Sequence, residues 1–239
     1  MKNAWLLASL LCAFPALAQE ADSVTPAEIA ARLNGVEAAN IKESAVKGFY
    51  EINVGSKVGY ISVDGRYLLE GELYDLVDSR NLTEESRARS RVDFLAGVDP
   101  SQMIVFSPKD RPVEHTITIF TDIDCGYCRQ FHREIDQVTA LGVEVHYLFY
   151  PRTGPDTDSW SKAERVWCAD DRNTALTRAK LGGSVPESTC AANPVADHYD
   201  LGHQVGVTGT PSIYTASGRH IGGYLAPQQL LSTLESFAE

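Results

Sequence analysis

The apolar and polar positions change period several times along the chain, and each change predicts an element. Thr25-Pro26-Ala27-Glu28 places a capping threonine, a proline at the first helical position and a glutamate three residues after the cap, which is a reciprocal helix-start signal. Ile29, Ala30 and Leu33 then share one helical face, and Gly35 is read as the stop. From Phe49 the period falls to two. Phe49 to Val54, Gly59 to Val63 and, after the Asp64-Gly65 turn, Arg66 to Gly71 predict an antiparallel hairpin sheet. Residues 19 to about 78 thus read as a helix packed on a small antiparallel sheet, without a cysteine. A unit of about 60 residues buries little surface by itself, so self-association would stabilise it.

Thr83 to Ala96 predicts a single helix capped by Thr83 and closed by Gly97 and Pro100. Its middle, Glu84 to Arg91, is nearly all polar, with apolar side chains only at Leu82, Val92, Phe94 and Leu95. The lack of a broad apolar stripe predicts a solvated bridge between two domains, with a surface helix on one domain as the alternative. Alternation returns in Thr116 to Thr121 and runs directly into Asp122-Ile123-Asp124-Cys125-Gly126-Tyr127-Cys128. Phe131, Ile135 and Val138 follow at helical spacing, so the CxxC opens a helix, and Val143 to Phe149 reads as a second strand. A helical stretch from Asp158 to about Ala179 comes next. Ser212 to Tyr214, the Ser217-Gly218 turn, His220 to Tyr224 and a helix from Pro227 to Phe237 complete a hairpin followed by a helix. Strand, helix, strand and then hairpin, helix is the order of a thioredoxin core, here interrupted by a helical insertion. The fold class is α+β.

The first eighteen residues stand apart. Lys2, the apolar run Trp5 to Phe14 and Ala16-Leu17-Ala18 have the three parts of a cleavable export leader, with cleavage after Ala18. The run is shorter than the roughly 20 residues of a membrane span. A lipid anchor at Cys12 is disfavoured by Leu11 before it. These features predict an exported protein that is not embedded in a membrane. Composition excludes a further class: 21 Lys+Arg against 32 Asp+Glu give a net charge of -11, and Arg87, Arg89 and Arg91 are the one local basic cluster. Nucleic-acid backbones are held by denser positive charge.

Of the five cysteines, Cys12 lies in the leader, which leaves Cys125, Cys128, Cys168 and Cys190. An even count in an oxidising compartment points to disulfides. The spacing partitions them as Cys125 with Cys128 and Cys168 with Cys190. Thiolates, not thiols, attack disulfides, and an ordinary cysteine with a pKa near 8.5 is mostly protonated at neutral pH. A cysteine at a helix N-terminus meets unsatisfied N–H groups and the positive end of the helix dipole. Cys125 is therefore the expected attacking sulfur and Cys128, one turn further in, the resolving one. Gly126 keeps the turn open and Tyr127 is an exposed residue expected to tune redox poise. Three other readings of the motif compete with exchange chemistry. Zinc needs about four ligands, and Cys125, Cys128 and His132 supply three. Covalent haem needs a histidine where Arg129 stands. A purely structural Cys125–Cys128 bridge is the third. His132 is expected to be a surface or helix-packing residue rather than a proton donor. Asp124 is a departure, because a carboxylate beside the sulfur would raise its pKa unless the side chain turns to solvent.

Phe120 to Cys128, Val166-Trp167-Cys168-Ala169-Asp170-Asp171-Arg172-Asn173 and Gly206-Val207-Thr208-Gly209-Thr210-Pro211 together resemble the periplasmic DsbC/DsbG family of thiol:disulfide interchange proteins. The resemblance covers nearly the whole chain after the leader. It implies a cystatin-like dimerisation domain over residues 19–80, a linker helix over 81–98 and a thioredoxin fold over 99–239, with a helical insertion at about 155–200. It implies a V-shaped homodimer whose two catalytic sites face a shared cleft. Cys125 then matches the family's nucleophile and Cys128 its buried partner. Thr210-Pro211 matches a Thr-cis-Pro pair that presents a backbone edge to an extended substrate. Cys168 and Cys190 match a second, non-catalytic disulfide, with a redox-active role as the alternative.

The expected function is a periplasmic disulfide isomerase for misfolded exported proteins, kept reduced by a membrane thiol reductase of the DsbD type and needing no cofactor or metal. A DsbG-like reductase of oxidised single cysteines, a dithiol oxidase and a non-enzymatic chaperone are the alternatives.

Overall fold

The computed structural model describes residues 23–237, so the leader read over residues 1–18 lies outside the described residues. The first helix of the described residues is α1 (Pro26–Ala30), whose Thr25 and Glu28 cap each other reciprocally. The helix ends at Ala30 rather than Gly35; a looser turn carries the chain on to Gly35, where φ is +76°. Strands β1 (Ile41–Glu43), β2 (Phe49–Val54), β3 (Lys57–Ser62) and β4 (Leu68–Glu70) form an antiparallel sheet in that order. Ile29 from the helix and Ile41, Ile52 and Ile61 from the sheet make its core. Burying one such side chain contributes about 1.5–3 kcal/mol, which leaves this a small core. On the edge strand β4 all three residues are exposed, and Tyr67, Leu68, Leu69, Leu76 and Val77 expose large apolar side chains nearby.

A short pair, β5 (Tyr74–Asp75) and β6 (Arg80–Asn81), leads into helix α2 (Leu82–Ala96). Two expectations fail here. The cap is Asn81, whose side chain accepts from the Glu84 amide, and Thr83 is buried inside the first turn. Nor is α2 a solvated bridge. Thr83, Ser86 and Arg91 are buried because each finds polar partners. The Thr83 hydroxyl shares a 2.6 Å hydrogen bond with the Tyr60 hydroxyl and accepts from the Leu73 amide at 2.7 Å. Ser86 donates to Glu51. Arg91 donates to the carbonyls of Val205 and Gly218 and to Glu84. A buried polar face is stable once its groups are paired, and an apolar-stripe criterion does not see it. The helix so joins the N-terminal sheet to the rest of the chain. At Gly218, φ is +76° and a Cβ would lie 2.1 Å from the Ala88 carbonyl, so this close approach requires glycine.

The remaining elements are β7 (Ile104–Phe106), β8 (His115–Thr121), α3 (Gly126–Arg133), α4 (Ile135–Ala140), β9 (Val143–Phe149), α5 (Asp158–Trp167), α6 (Arg172–Lys180), α7 (Val195–Val205), β10 (Ser212–Thr215), β11 (His220–Gly222) and α8 (Pro227–Glu235). The sheet order is β11-β10-β8-β9-β7, with β8 and β9 parallel and the other pairs antiparallel. β8 and β9 lie at its centre, covered by helices, and Ile117, Ile119, Phe120, Val145 and Leu148 are fully buried. The helix after the CxxC breaks at Glu134, whose carboxylate accepts from the Tyr224 hydroxyl. The stretch read as one helix from Asp158 is two. Cys168 caps the end of α5 rather than lying mid-helix, and Asp171 starts α6 by accepting from the Thr174 amide at 3.0 Å. Among the described residues no helix is long and apolar enough to cross a membrane.

Candidate active site

Strand β8 ends at Thr121, and three residues carry the chain to Cys125, the N-cap of α3. The Asp122 carboxylate organises this corner. It is buried and accepts from the Asp124 amide (2.8 Å), the Ser159 hydroxyl (2.6 Å) and the amide and Nε of Arg152 (3.1 and 2.9 Å). Burial works to raise its pKa, but the hydrogen bonds from Ser159 and Arg152 outweigh it and hold the carboxyl below the usual range.

Cys125 and Cys128 are both free thiols, 3% and 1% exposed. The Cys125 thiol donates to the Thr210 carbonyl at 3.1 Å, and the Thr210–Pro211 peptide is cis. The Cys125 pKa is brought down to about 5, chiefly by a hydrogen bond with the Cys128 thiol, with the Cys128 amide and the Arg152 charge adding to it against the cost of burial. Cys128 moves the other way. Burial pushes its thiol well above the ordinary range, reinforced by the bond to Cys125 and opposed by the Lys180 charge and the Thr121 hydroxyl. One turn of helix therefore separates a sulfur ready to attack at neutral pH from one that holds its proton.

The surroundings answer the question posed by Asp124. Its carboxylate is paired with Arg129 (2.9 Å) and Lys162 (3.0 Å), so two cations meet its charge beside the sulfur. Gly126 leaves open space where a side chain would stand. Tyr127 is 64% exposed and stacks on Tyr224 with ring centroids 6.3 Å apart, forming an aromatic shelf next to Cys125. The Thr210 hydroxyl is buried and has no partner among the described residues. His132 packs inside: its ring nitrogens bond the hydroxyls of Tyr147 (3.1 Å) and Thr177 (2.9 Å), and burial with the Lys180 charge lowers its pKa to about 3. Among the described residues no three His, Cys, Asp or Glu side chains are grouped to hold a metal.

Cys168 and Cys190 are bonded to each other, with 5.4 Å between their Cα atoms, and tie the end of α5 to the segment between α6 and α7. The sequence reading missed Thr121, Asp122, Arg152 and Lys180. Lys180 had a signal: it continues the buried positions Ala175, Leu176 and Ala179 of α6, where a lysine is out of place.

Residues 15–84 match the disulfide bond isomerase protein N-terminal domain and residues 100–238 a thioredoxin-like domain. The chain is 33% identical to the thiol:disulfide interchange protein DsbC of Escherichia coli K12, over 98% of this chain and 96% of that one. It is 36% identical to that of Haemophilus influenzae, over 98% and 99%. A linker-deletion mutant of Proteus mirabilis ScsC shares the fold, with a TM-score of 0.51 at 18% identity over 67% of this chain and 88% of that one. With two matching domains in order and relatives aligned from end to end, this chain belongs to the DsbC family of thiol:disulfide interchange proteins.

Proposed function

We propose that the protein is a periplasmic disulfide isomerase in which Cys125 attacks and Cys128 resolves. The observation that carries this reading is the pair of free thiols on one helical turn, one brought down to about 5 and the other held protonated by burial. The Cys125 thiolate attacks one sulfur of a wrong substrate disulfide. A mixed disulfide forms and the second substrate sulfur leaves as a thiolate. That thiolate, or another in the same chain, attacks the mixed disulfide to form a new substrate disulfide and return Cys125 as thiolate. If the complex stalls, Cys128 attacks Cys125, the substrate leaves reduced, and the Cys125–Cys128 disulfide must be re-reduced by an external dithiol, the role of a DsbD-type membrane reductase. The electrons stay on sulfur throughout, so the chemistry calls for no cofactor.

Thr210 supplies the backbone edge and Tyr127 the shelf for an extended substrate segment, with Gly126 leaving the approach open. Cys168–Cys190 is a structural bridge of the insertion. The domains divide as 19–80, 81–98 and 99–239, after an export leader over 1–18. The exposed apolar edge at β4 supports a homodimer through the N-terminal domain, because an unpaired strand edge with apolar flanks is a pairing surface. Reduced protein in catalytic amounts restores activity to a scrambled, fully oxidised multi-disulfide substrate, and Cys125→Ser abolishes the recovery. Undiminished recovery with Cys125→Ser overturns the reading in favour of a chaperone.

A further inference from the structure

Lys180 is a buried cation whose charge lowers the Cys128 pKa but to which the exchange steps described above give no part. The residue is 1% exposed, and its Nζ donates to the Thr121 hydroxyl oxygen (2.6 Å) and the Asp122 carbonyl (2.8 Å). It has no carboxylate partner among its hydrogen bonds. Thr121 is itself fully buried, and while its hydroxyl oxygen takes the Lys180 bond it also lowers the pKa of the Cys128 thiol, so the three groups form a line: Cys128 sulfur, Thr121 hydroxyl, Lys180 amine. Cys128 is 1% exposed, and burial holds it in the thiol form. To attack a mixed disulfide it must lose that proton, and its burial calls for an acceptor within the protein.

The groups that face this line narrow the acceptor to one. From α3, the ring nitrogens of His132 are both engaged with hydroxyls and its pKa falls to about 3. Arg129, also on α3, donates to the Ile123 carbonyl and Asp124 and cannot take a proton. After β8, the Asp122 carboxylate is committed to Ser159 and Arg152 and lies below the usual range. From β9, the Tyr147 phenol is pushed up by burial, then by the Cys128 charge. Arg152 is an arginine paired with Asp122. Cys125, at the N-cap, is consumed in the mixed disulfide. Lys180 remains. Burial lowers its pKa to about 8, against the pull of Cys128, Asp122 and Cys125, so a neutral amine is accessible near physiological pH.

We propose that Lys180 is a positioning residue for the resolving step, acting through the Thr121 hydroxyl to take the proton of Cys128 as that sulfur attacks the mixed disulfide. The proposal rests on the Cys125–Cys128 reading above. As the Cys128 S–H proton passes to the Thr121 oxygen, the Thr121 hydroxyl proton passes to the Lys180 amine. The Cys128 sulfur forms the bond to Cys125, and the bond from Cys125 to the substrate sulfur breaks with its electron pair leaving on that sulfur. A neutral amine becomes an ammonium as a thiolate departs, so charge and atoms balance. The neutral amine can still donate to the Asp122 carbonyl while its lone pair accepts from Thr121, which keeps the line in place through the transfer.

The reduced protein is mixed in stopped flow with dithiobis(nitrobenzoate), an aromatic disulfide whose thiolate is coloured. The first release reports attack by Cys125 and the second reports resolution by Cys128. In the wild type the second phase rises with pH and levels off above about 8. In Lys180→Met the first phase persists, the second slows about 100-fold at pH 7, and it climbs with pH without levelling off. Thr121→Val, which removes the bridging hydroxyl and leaves Lys180, loses the plateau too and carries the test alone if Lys180→Met does not fold. A second phase in either folded variant that keeps the wild-type plateau overturns the proposal, whether or not it is slower, since a structural role changes rate and not the pH at which the rate saturates. A wild type with no first phase overturns the Cys125–Cys128 reading instead.

Discussion

Arg91 and Lys180 are both buried cations, and the molecule treats them in opposite ways. Arg91, on α2, is 5% exposed and meets Glu84 at 2.6 Å, the Val205 carbonyl at 3.1 Å, the Gly218 carbonyl at 3.4 Å and the face of Tyr214. Lys180, on α6, is 1% exposed and bonds a hydroxyl and a carbonyl, with no counter-charge in contact among the described residues. A charge whose desolvation is compensated on all sides is fixed, and its partners are the fixed points of the junction it occupies. A charge left without a counter-ion is displaced toward its neutral form, and it can therefore exchange a proton. The comparison separates a cation that holds the two parts of the chain together from one poised to do chemistry.

The largest effect expected from breaking this comparison is at Arg91. Arg91→Met removes the charge-assisted bonds to two carbonyls and one carboxylate in a buried junction: the Gly218 carbonyl loses its side-chain donor, and the Val205 carbonyl keeps the Tyr214 hydroxyl at 3.5 Å. The cost is about 3 kcal/mol in unfolding free energy, measured by denaturant titration. Hydrogen exchange should quicken at the amides of the turn around Gly218, while the first and second phases of disulfide attack keep their pH dependence. A variant as stable as the wild type would show that the junction is held by other contacts.

Lys180→Met should behave in the opposite manner. Replacing a buried charge by an apolar side chain of similar length removes its desolvation penalty, which offsets the two lost hydrogen bonds, so stability at pH 7 changes by about 1 kcal/mol or less. The sign of the pH dependence is distinctive. Lys180 falls from 10.5 to about 8 in the folded protein, so between those values the unfolded chain binds the extra proton. The wild type therefore gains stability as pH rises from about 8 towards 10.5, relative to the variant. Denaturation midpoints of both proteins at pH 7 and pH 10 test this: a difference that stays constant would mean that Lys180 keeps its charge throughout.

The same two residues mark what the sequence made legible. The strand, CxxC, helix, strand order was readable because β8 and β9 keep a period of two, with Ile117, Ile119, Val145 and Tyr147 buried between half-buried Thr116, Thr118, Glu144 and His146. The CxxC spacing also placed Cys125 and Cys128 on one turn without coordinates. By contrast α2 was misread because its buried face is written in Thr83, Ser86 and Arg91, each of which has a partner in β3, β2 or α7 at 23 or more positions' distance. Burial of polar groups depends on pairing, and pairing is set by tertiary structure. The break between α5 and α6 hid behind a continuous helical period, and Asp171 was its one local sign. Short strands such as β1 and β7 carry too few alternations to register.

A third charged cluster gives the smallest effect and sharpens the contrast. Asp124 sits beside Cys125, but its carboxylate is about a third exposed and shared between Arg129 and Lys162. Exposed pairs of this kind contribute roughly 0.2–1 kcal/mol, so Asp124→Asn should change stability by much less than Arg91→Met does. Its effect on chemistry has a definite sign. Removing the carboxylate leaves two cations uncompensated near the Cys125 sulfur, which favours the thiolate. The midpoint of the first phase, expected at about 5 in the wild type, then moves to lower pH, and the shift shrinks as salt is added because exposed charges are screened. A midpoint that moves upward would mean that Asp124 stabilises the thiolate indirectly, by holding Arg129 in the orientation in which it bonds the Ile123 carbonyl. The contrast between the three clusters would then lie in geometry rather than in charge.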